Sequence, residues 1–127
     1  MNIRGLYPKS DQSKIPYLAD LASKTNAPFI CLTETHLTPS ILDAEVSITG
    51  YDLFRSDRME RSHGGVATYV RKDLAVKTFV KDSNSYCDSL ILHVPQINLF
   101  IINLYRPNCP QILFNQTIEH SSSFLRI

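Results

Sequence analysis

The stretch Phe29-Ile-Cys-Leu-Thr-Glu-Thr-His-Leu37 decides how this chain is interpreted. Its apolar run follows Pro28 and ends at the carboxylate of Glu34, after which the chain turns polar. Apolar runs bounded in this way are typical of strands, so we predict a strand over residues 29–33. Because ligands of α/β sheets gather at the carboxyl ends of strands, Glu34 is a candidate for contact with a metal ion or a substrate. The alternative, a solvated loop residue, is the one that spacing alone favours.

The composition is that of a single globular domain. The chain has 127 residues, of which 43% are hydrophobic and 20% are charged, which suits one packed core. No apolar run approaches the roughly 20 residues of a membrane-spanning helix, and no signal-peptide core opens the chain, so we expect an intracellular protein with no membrane partner. The formal net charge of +1 gives no overall attraction to nucleic acid, so a phosphate-binding surface would have to be local.

Apolar spacing predicts one helix followed by several strands. Ile15, Leu18 and Ala22 recur at helical spacing, which predicts a helix over about residues 14–25 with Ser13 as its N-cap. Alternation and turn residues predict strands over 51–54, 66–70, 75–80, 89–94 and 98–105, and a short helix near 112–118.

The order of these elements indicates an α/β (α+β) fold with a mixed sheet. Strand 66–70 fits an antiparallel hairpin with 75–80, and strand 89–94 fits another with 98–105. The near-continuous apolar run 99–102 indicates a central strand that is covered on both faces.

Five short motifs follow one another in an order that resembles a known superfamily. They are Asn2-Ile-Arg-Gly5, Cys31-Leu-Thr-Glu-Thr-His-Leu37, Gly50-Tyr-Asp-Leu-Phe-Arg-Ser-Asp-Arg58, Gly64-Gly-Val-Ala-Thr-Tyr-Val-Arg71 and Asn103-Leu-Tyr-Arg-Pro-Asn108. The series resembles the endonuclease/exonuclease/phosphatase superfamily, and within it the apurinic-type endonuclease domain of non-LTR (LINE-like) retrotransposons. The resemblance implies a four-layer α/β sandwich with mixed β-sheets that hydrolyses phosphodiesters with Mg²⁺ or Mn²⁺.

The resemblance also implies roles for four residues. Asn2 matches the first-strand active-site Asn of the family, and Glu34 matches its metal-binding Glu. Tyr105 falls on the Tyr that contacts the scissile phosphate, and Asn108 follows in a Pro-Asn pair that some relatives share. The implied partners are DNA and a reverse transcriptase domain in the parent polyprotein. One carboxylate agrees with this chemistry, because Mg²⁺ keeps several waters and binds through few protein oxygens.

Two motifs of the family have no match in this chain. They are an Asp-x-Asn after the Asn103–Asn108 motif and a C-terminal Asp-His pair, whereas Asp82-Ser-Asn84 precedes that motif. We therefore expect residues 1–127 to be a partial domain, truncated at both ends, inactive as written and prone to self-association or aggregation through uncovered sheet faces. Two alternatives stay open: a non-catalytic element remnant or weak nucleic-acid-binding module, and another phosphodiesterase or phosphatase of the same superfamily.

Basic residues in the middle of the chain could follow a phosphate backbone. Acidic residues alternate with them, which favours a solvated surface of mixed charge. The basic residues are Arg55, Arg58, Arg61, Arg71 and Lys72.

Overall fold

The strand that follows Pro28 begins and ends where its apolar run does. The computed structural model describes residues 1–7, 13–58, 64–83 and 87–105, with the Thr78 side chain left out. The strands are β1 (Phe29–Thr33), β2 (Tyr51–Ser56), β3 (Val66–Arg71), β4 (Thr78–Ser83), β5 (Asp88–Val94) and β6 (Leu99–Tyr105). The helix α1 spans Ile15–Thr25, and short 3₁₀ helices span Asp43–Val46 and Pro95–Ile97.

These strands form two three-stranded antiparallel sheets, and the fold class is α+β as predicted. The first sheet has the order β1-β3-β2 and the second the order β4-β5-β6. Parallel pairing enters the first sheet through a bridge between Asn2 and Thr33. The segment before α1 thereby lies beside β1, where the Ile3 N–H donates to the Thr33 carbonyl at 3.0 Å.

Three layers follow from the faces that these elements bury. Between the two sheets lies a core centred on Val66, Val70, Leu90 and Leu92. The opposite face of the first sheet packs under α1, and the residues of that core include Ile3, Leu6, Leu18, Ala22, Ile30, Leu32, Leu37, Val46, Ile48 and Tyr69. Successive residues of a strand point to opposite faces of the sheet, so residues that follow one another in β1 or β3 pack into different cores. The first sheet is thereby covered on both sides.

The predicted hairpin between strands 66–70 and 75–80 is wrong. Strand β3 lies in the centre of the first sheet between β1 and β2, whereas β4 begins at Thr78 and belongs to the second sheet. Leu74 and Val76, which look like strand residues, pack into the core between the sheets. The linker buries its apolar residues while it crosses from one sheet to the other, and local alternation cannot distinguish this from a hairpin.

The prediction of a central strand at 99–102 is also wrong. Strand β6 lies at the edge of the sheet that the described strands form, and Leu99 and Ile102 are exposed. The central strand is β5, which is buried along its length except at His93. The predicted pairing of β5 with β6 is confirmed.

The predicted helix is confirmed, and only its cap differs. Lys14 occupies the N-cap position, although the Ser13 hydroxyl does accept a hydrogen bond from the Ile15 N–H at 3.1 Å. The short helix predicted near 112–118 lies outside the described residues.

Candidate active site

Three of the four predicted site residues meet at the point where β1 and β6 end. Glu34 directly follows β1, and Tyr105 is the last residue of β6 in the other sheet. The Tyr105 hydroxyl donates a hydrogen bond to Oε1 of Glu34, and the Asn2 side chain also hydrogen-bonds the Glu34 carboxylate. Asn108, the fourth predicted residue, lies outside the described residues.

Glu34 sits in a backbone conformation that needs support from its surroundings. Its φ is 56°, and His36 shares that value, so both lie in the left-handed region. Non-glycine residues there cost about 1–3 kcal/mol each and persist where neighbouring structure fixes them. Thr35 between them is fully buried. Strained backbone of this kind is concentrated at functional sites, so the strain at Glu34 and His36 supports a functional role for this turn.

Backbone hydrogen bonds hold this turn from two sides. On one side, the N–H groups of Gly5 and Leu6 donate to the carbonyls of Glu34 and Thr35 at 2.8 and 2.9 Å. These contacts fix the direction in which the Glu34 side chain leaves the turn.

On the other side, the carbonyls of two glycines accept hydrogen bonds from the same turn. The Thr35 N–H donates to the Gly65 carbonyl at 3.3 Å, and the His36 N–H donates to the Gly64 carbonyl at 2.8 Å. A Cβ on Gly65 would lie 2.7 Å from Thr35 Oγ1, so only glycine allows this approach. In the sequence the glycine pair was recognised only as the start of the fourth motif, and this contact with the Glu34 turn has no local signal.

Hydrogen bonding and charge set the ionisation of the Glu34–Tyr105 pair. The Tyr105 hydroxyl lowers the pKa of Glu34 most, and the Asn2 side chain and the charges of His36 and Arg4 add to that, while desolvation opposes them. Burial, followed by the hydrogen bond to the Glu34 carboxylate, raises the pKa of Tyr105 to about 12. At neutral pH the pair is therefore a carboxylate and a neutral phenol that donates.

A buried ion pair lies behind this site. The Asp88 carboxylate has no exposed surface and accepts the Gly65 N–H at 3.0 Å and the Ser83 hydroxyl at 2.6 Å. The Arg58 guanidinium, also buried, approaches it at 3.6 Å. Sequence reasoning missed Asp88, because a charged residue at the start of a strand is usually exposed and nothing in the local sequence marks this one as buried.

A second buried polar contact joins the two sheets beside the site. The Asn103 side-chain amide on β6 donates to the carbonyls of Leu32 and Ala67 at 3.0 Å each. Asn103 was noted only as the first letter of the fifth motif, and its role in the packing has no signal in the local sequence.

The basic residues of the middle segment form mixed-charge contacts where the structure describes them. Arg55 binds Asp57 at 2.7 Å and Asp43 at 3.0 Å, and Arg71 binds Asp73 at 2.6 Å. The mixed-charge interpretation is confirmed for these residues, but the prediction of a solvated surface is wrong for Arg55 and Asp57, whose side chains are 13% and 10% exposed, and for Arg58, which is buried against Asp88. Arg61 lies outside the described residues, as does Asn84 of the Asp82-Ser-Asn84 sequence.

The site offers few ligands for a metal ion. No group of three or more His, Cys, Asp or Glu residues that could hold a metal occurs within 1–7, 13–58, 64–83 and 87–105. The Glu34 carboxylate and the Asn2 amide do offer hard oxygen donors. They fit an ion such as Mg²⁺, which is usually bound through one or two carboxylates and keeps water and phosphate oxygens as its other ligands.

Comparisons with known proteins give a likeness in structure and none in sequence. No protein-family model matches the sequence, and a search of curated proteins finds no match. The described part of the chain contains no helix that is long and apolar enough to cross a membrane. Among solved structures, the chain is similar to the AP endonuclease LMAP from Leishmania major, with a TM-score of 0.62 and 18% sequence identity. The match covers 96% of this chain but only 43% of that enzyme, so this chain has the fold of part of an AP endonuclease.

Proposed function

We propose that this chain is part of a divalent-metal-dependent phosphodiesterase that nicks DNA. The observation that carries the proposal is the meeting of Asn2, Glu34 and Tyr105 at one end of the two-sheet core. The three residues come from distant parts of the sequence, and the superfamily resemblance implies site roles for each of them. The likeness in fold to an AP endonuclease supports the same reaction class and DNA as the substrate.

The chemistry of each side chain suits phosphodiester hydrolysis. The Tyr105 phenol is protonated at neutral pH and can donate a hydrogen bond, and the raised pKa of about 12 acts in the same direction. Where a phosphate oxygen replaces Glu34 as its acceptor, the Tyr105 hydroxyl can donate to it, as the Asn2 amide can, while negative charge develops on the phosphate. Arg4 adds positive charge near Glu34, which favours the approach of an anionic substrate.

The Glu34 carboxylate would hold the metal ion, with water and phosphate oxygens as the other ligands. Bound Mg²⁺ or Mn²⁺ would supply polarisation of the phosphoryl oxygen and stabilisation of the leaving oxygen. The Glu34 carboxylate is charged at neutral pH, as a metal ligand must be, and the hydrogen bond from Tyr105 lowers its pKa further.

The retrotransposon type of the enzyme is the finer part of the proposal. It rests on the order and the residues of the five motifs, of which Gly50–Arg58 and Asn103–Asn108 are the most specific. On this proposal the parent polyprotein also carries a reverse transcriptase domain. Residues 1–127 would by themselves be inactive, because they hold neither the Asp-x-Asn nor the Asp-His motif of the family.

The metal site is tested on this chain by Mn²⁺ titration followed by NMR. Paramagnetic Mn²⁺ should broaden the signals of Asn2, Glu34 and Tyr105 first, and Glu34→Gln should abolish that selectivity. Glu45→Gln is the matched control, because Glu45 is an exposed carboxylate that accepts the Leu42 N–H at 2.7 Å in a separate 3₁₀ helix. Selective broadening that survives Glu34→Gln would refute the assignment.

The DNA-nicking part is tested on the product of the full transcript, sequenced across both ends of this chain. Glu34→Gln should abolish Mg²⁺-dependent nicking of supercoiled plasmid DNA, while Glu45→Gln should retain it. Nicking by the Glu34→Gln protein at the wild-type rate would overturn the proposal.

A second candidate is a non-catalytic remnant or a weak nucleic-acid-binding module. The single carboxylate among the described residues of the site favours it. A transcript whose reading frame lacks the two missing motifs would decide for this candidate.

A further inference from the structure

The Asp88 carboxylate has polar partners from three segments of the chain. It is fully buried, and the N–H of Gly65, the hydroxyl of Ser83 and the guanidinium of Arg58 all point to it. A pair of buried charges is weak evidence for stability, since well-packed apolar residues often serve as well. What such a pair does provide is direction, because each hydrogen bond fixes the position of its donor.

The positions that Asp88 fixes are the two sides of the candidate site. Asp88 lies on β5 directly opposite Tyr105 on β6. Gly65, which it holds through the N–H, accepts the N–H of Thr35, the residue after Glu34. Asp88 thus links the strand end that carries Tyr105, with which it is paired in the sheet, to the turn that carries Glu34, which its carboxylate supports through Gly65.

Asn103 makes a second link of the same kind. It precedes Tyr105 by two residues, so both side chains leave β6 on the face towards the first sheet. Its amide donates to the carbonyl of Leu32, two residues before Glu34, and to that of Ala67 on β3. It therefore sets the position of β6 against β1 next to the Tyr105–Glu34 hydrogen bond.

We propose that Asp88 and Asn103 are positioning residues, which hold the Tyr105 hydroxyl against the Glu34 carboxylate by fixing the two sheets on either side of the pair. Neither residue touches the substrate in this proposal. Their relevance to the reaction rests on the proposed function, but the alignment of Tyr105 with Glu34 is measurable without it.

The test is a double-mutant cycle repeated in two backgrounds. The free energy of unfolding is measured by urea denaturation for Glu34→Gln, for Tyr105→Phe and for both together, which gives the coupling between the two side chains. The same cycle is then repeated with Asp88→Asn and, separately, with Asn103→Leu. We expect the coupling to be lost in both backgrounds.

A residue that only stabilises the fold would lower the free energy of unfolding and leave the coupling unchanged. Ile48→Ala provides that control, because Ile48 is buried in the core under α1 and away from the links. If Asp88→Asn does not fold, Ser83→Ala removes one of the hydrogen bonds to Asp88 and should reduce the coupling in part.

Coupling that equals the wild-type value in the Asp88→Asn or Ser83→Ala background would overturn the role of Asp88, and the same result in Asn103→Leu would overturn that of Asn103. No Mn²⁺ or DNA enters the measurement. Failure of the metal and nicking experiments would therefore refute the proposed function while leaving this result standing, and the reverse holds as well.

Discussion

Replacing Gly65 by alanine should destabilise the protein far more than the same change at Gly50. Both glycines have a φ close to +88°, at +87° and +88°, so alanine meets the same conformational penalty at each. That penalty is about 1–2 kcal/mol for an L-residue in left-handed space. The two sites differ in what a new Cβ would touch. At Gly50 no heavy atom lies within 4 Å, whereas at Gly65 the Thr35 Oγ1 lies at 2.7 Å and the Ser56 carbonyl oxygen at 3.5 Å.

The steric term at Gly65 cannot relax at low cost. Thr35 is fully buried, and its hydroxyl accepts the Leu37 N–H, so the side chain has little room to rotate. Overpacking of this kind costs about 1–3 kcal/mol, which brings the expected loss at Gly65 to about 2–5 kcal/mol against about 1–2 at Gly50. The free energy of unfolding of a domain is typically about 5–15 kcal/mol, so a loss of that size is a large part of it.

Urea denaturation of the two variants and the wild type measures the difference. The slope with urea should stay constant, so that the midpoints report stability alone. If Gly65→Ala is no less stable than Gly50→Ala, then the close approach of the glycine pair to the Glu34 turn is wrong, and with it the support that we assign to that turn.

Two further predictions concern tyrosines. Tyr69→Phe removes the hydrogen bond that the buried hydroxyl donates to the Val46 carbonyl at 2.6 Å, and urea denaturation should show a loss of about 1–2 kcal/mol; an unchanged midpoint would contradict that contact. The phenol of Tyr105 should titrate near pH 12 when followed by NMR of its ring carbon, and Glu34→Gln should lower the pKa only in part, because burial is its largest cause. Since folding raises this pKa, the contribution of Tyr105 to stability is complete below its unfolded pKa of about 10 and falls as pH rises towards 12. The pKa of Glu34 is lowered by folding, so the contribution of Glu34 to stability depends on pH in the opposite direction and is lost as pH falls through the folded pKa. A Tyr105 that titrates at its ordinary value would refute the pairing.

The elements with a complete local signal could be predicted from the sequence. Strand β1 matches its predicted bounds because Pro28 precedes an apolar run that ends in polar residues. The helix α1 matches because Leu18 and Ala22 mark its buried face. In each case the residues that form the element also carry the evidence for it.

The pairing of the strands needed information that no local window holds. The segment 75–80 alternates like a strand, but only residues 78–80 belong to β4. The residues before them form a linker between the sheets, in which Leu74 and Val76 are partly buried. The apolar run at β6 was interpreted as central, yet the strand lies at the edge of the described sheet. Which partner a strand takes depends on packing between distant segments, and hydrophobic pattern alone leaves that open.

The site shows the same division between local and long-range information. Glu34 was identified from its place after a strand, while the contact with Tyr105 joins residues separated by 71 positions. Tyr105 and Asn2 were expected there only through the resemblance. Asp88 was missed because a charged residue at the start of a strand is usually exposed, and only the three-dimensional structure shows that it is not.

This division has a physical basis in how the two sheets are joined. Apolar packing between β3 and β5 sets the distance between the sheets, but it is non-directional and tolerates sliding. The hydrogen bond between Tyr105 and Glu34 tolerates little, because it weakens steeply away from its preferred geometry. The directional contacts of Asp88 and Asn103 supply the missing constraint, and both lie beside that hydrogen bond. Substitutions that conserve volume in the core should therefore preserve the site, whereas changes at these two polar residues should disturb it even where the fold survives.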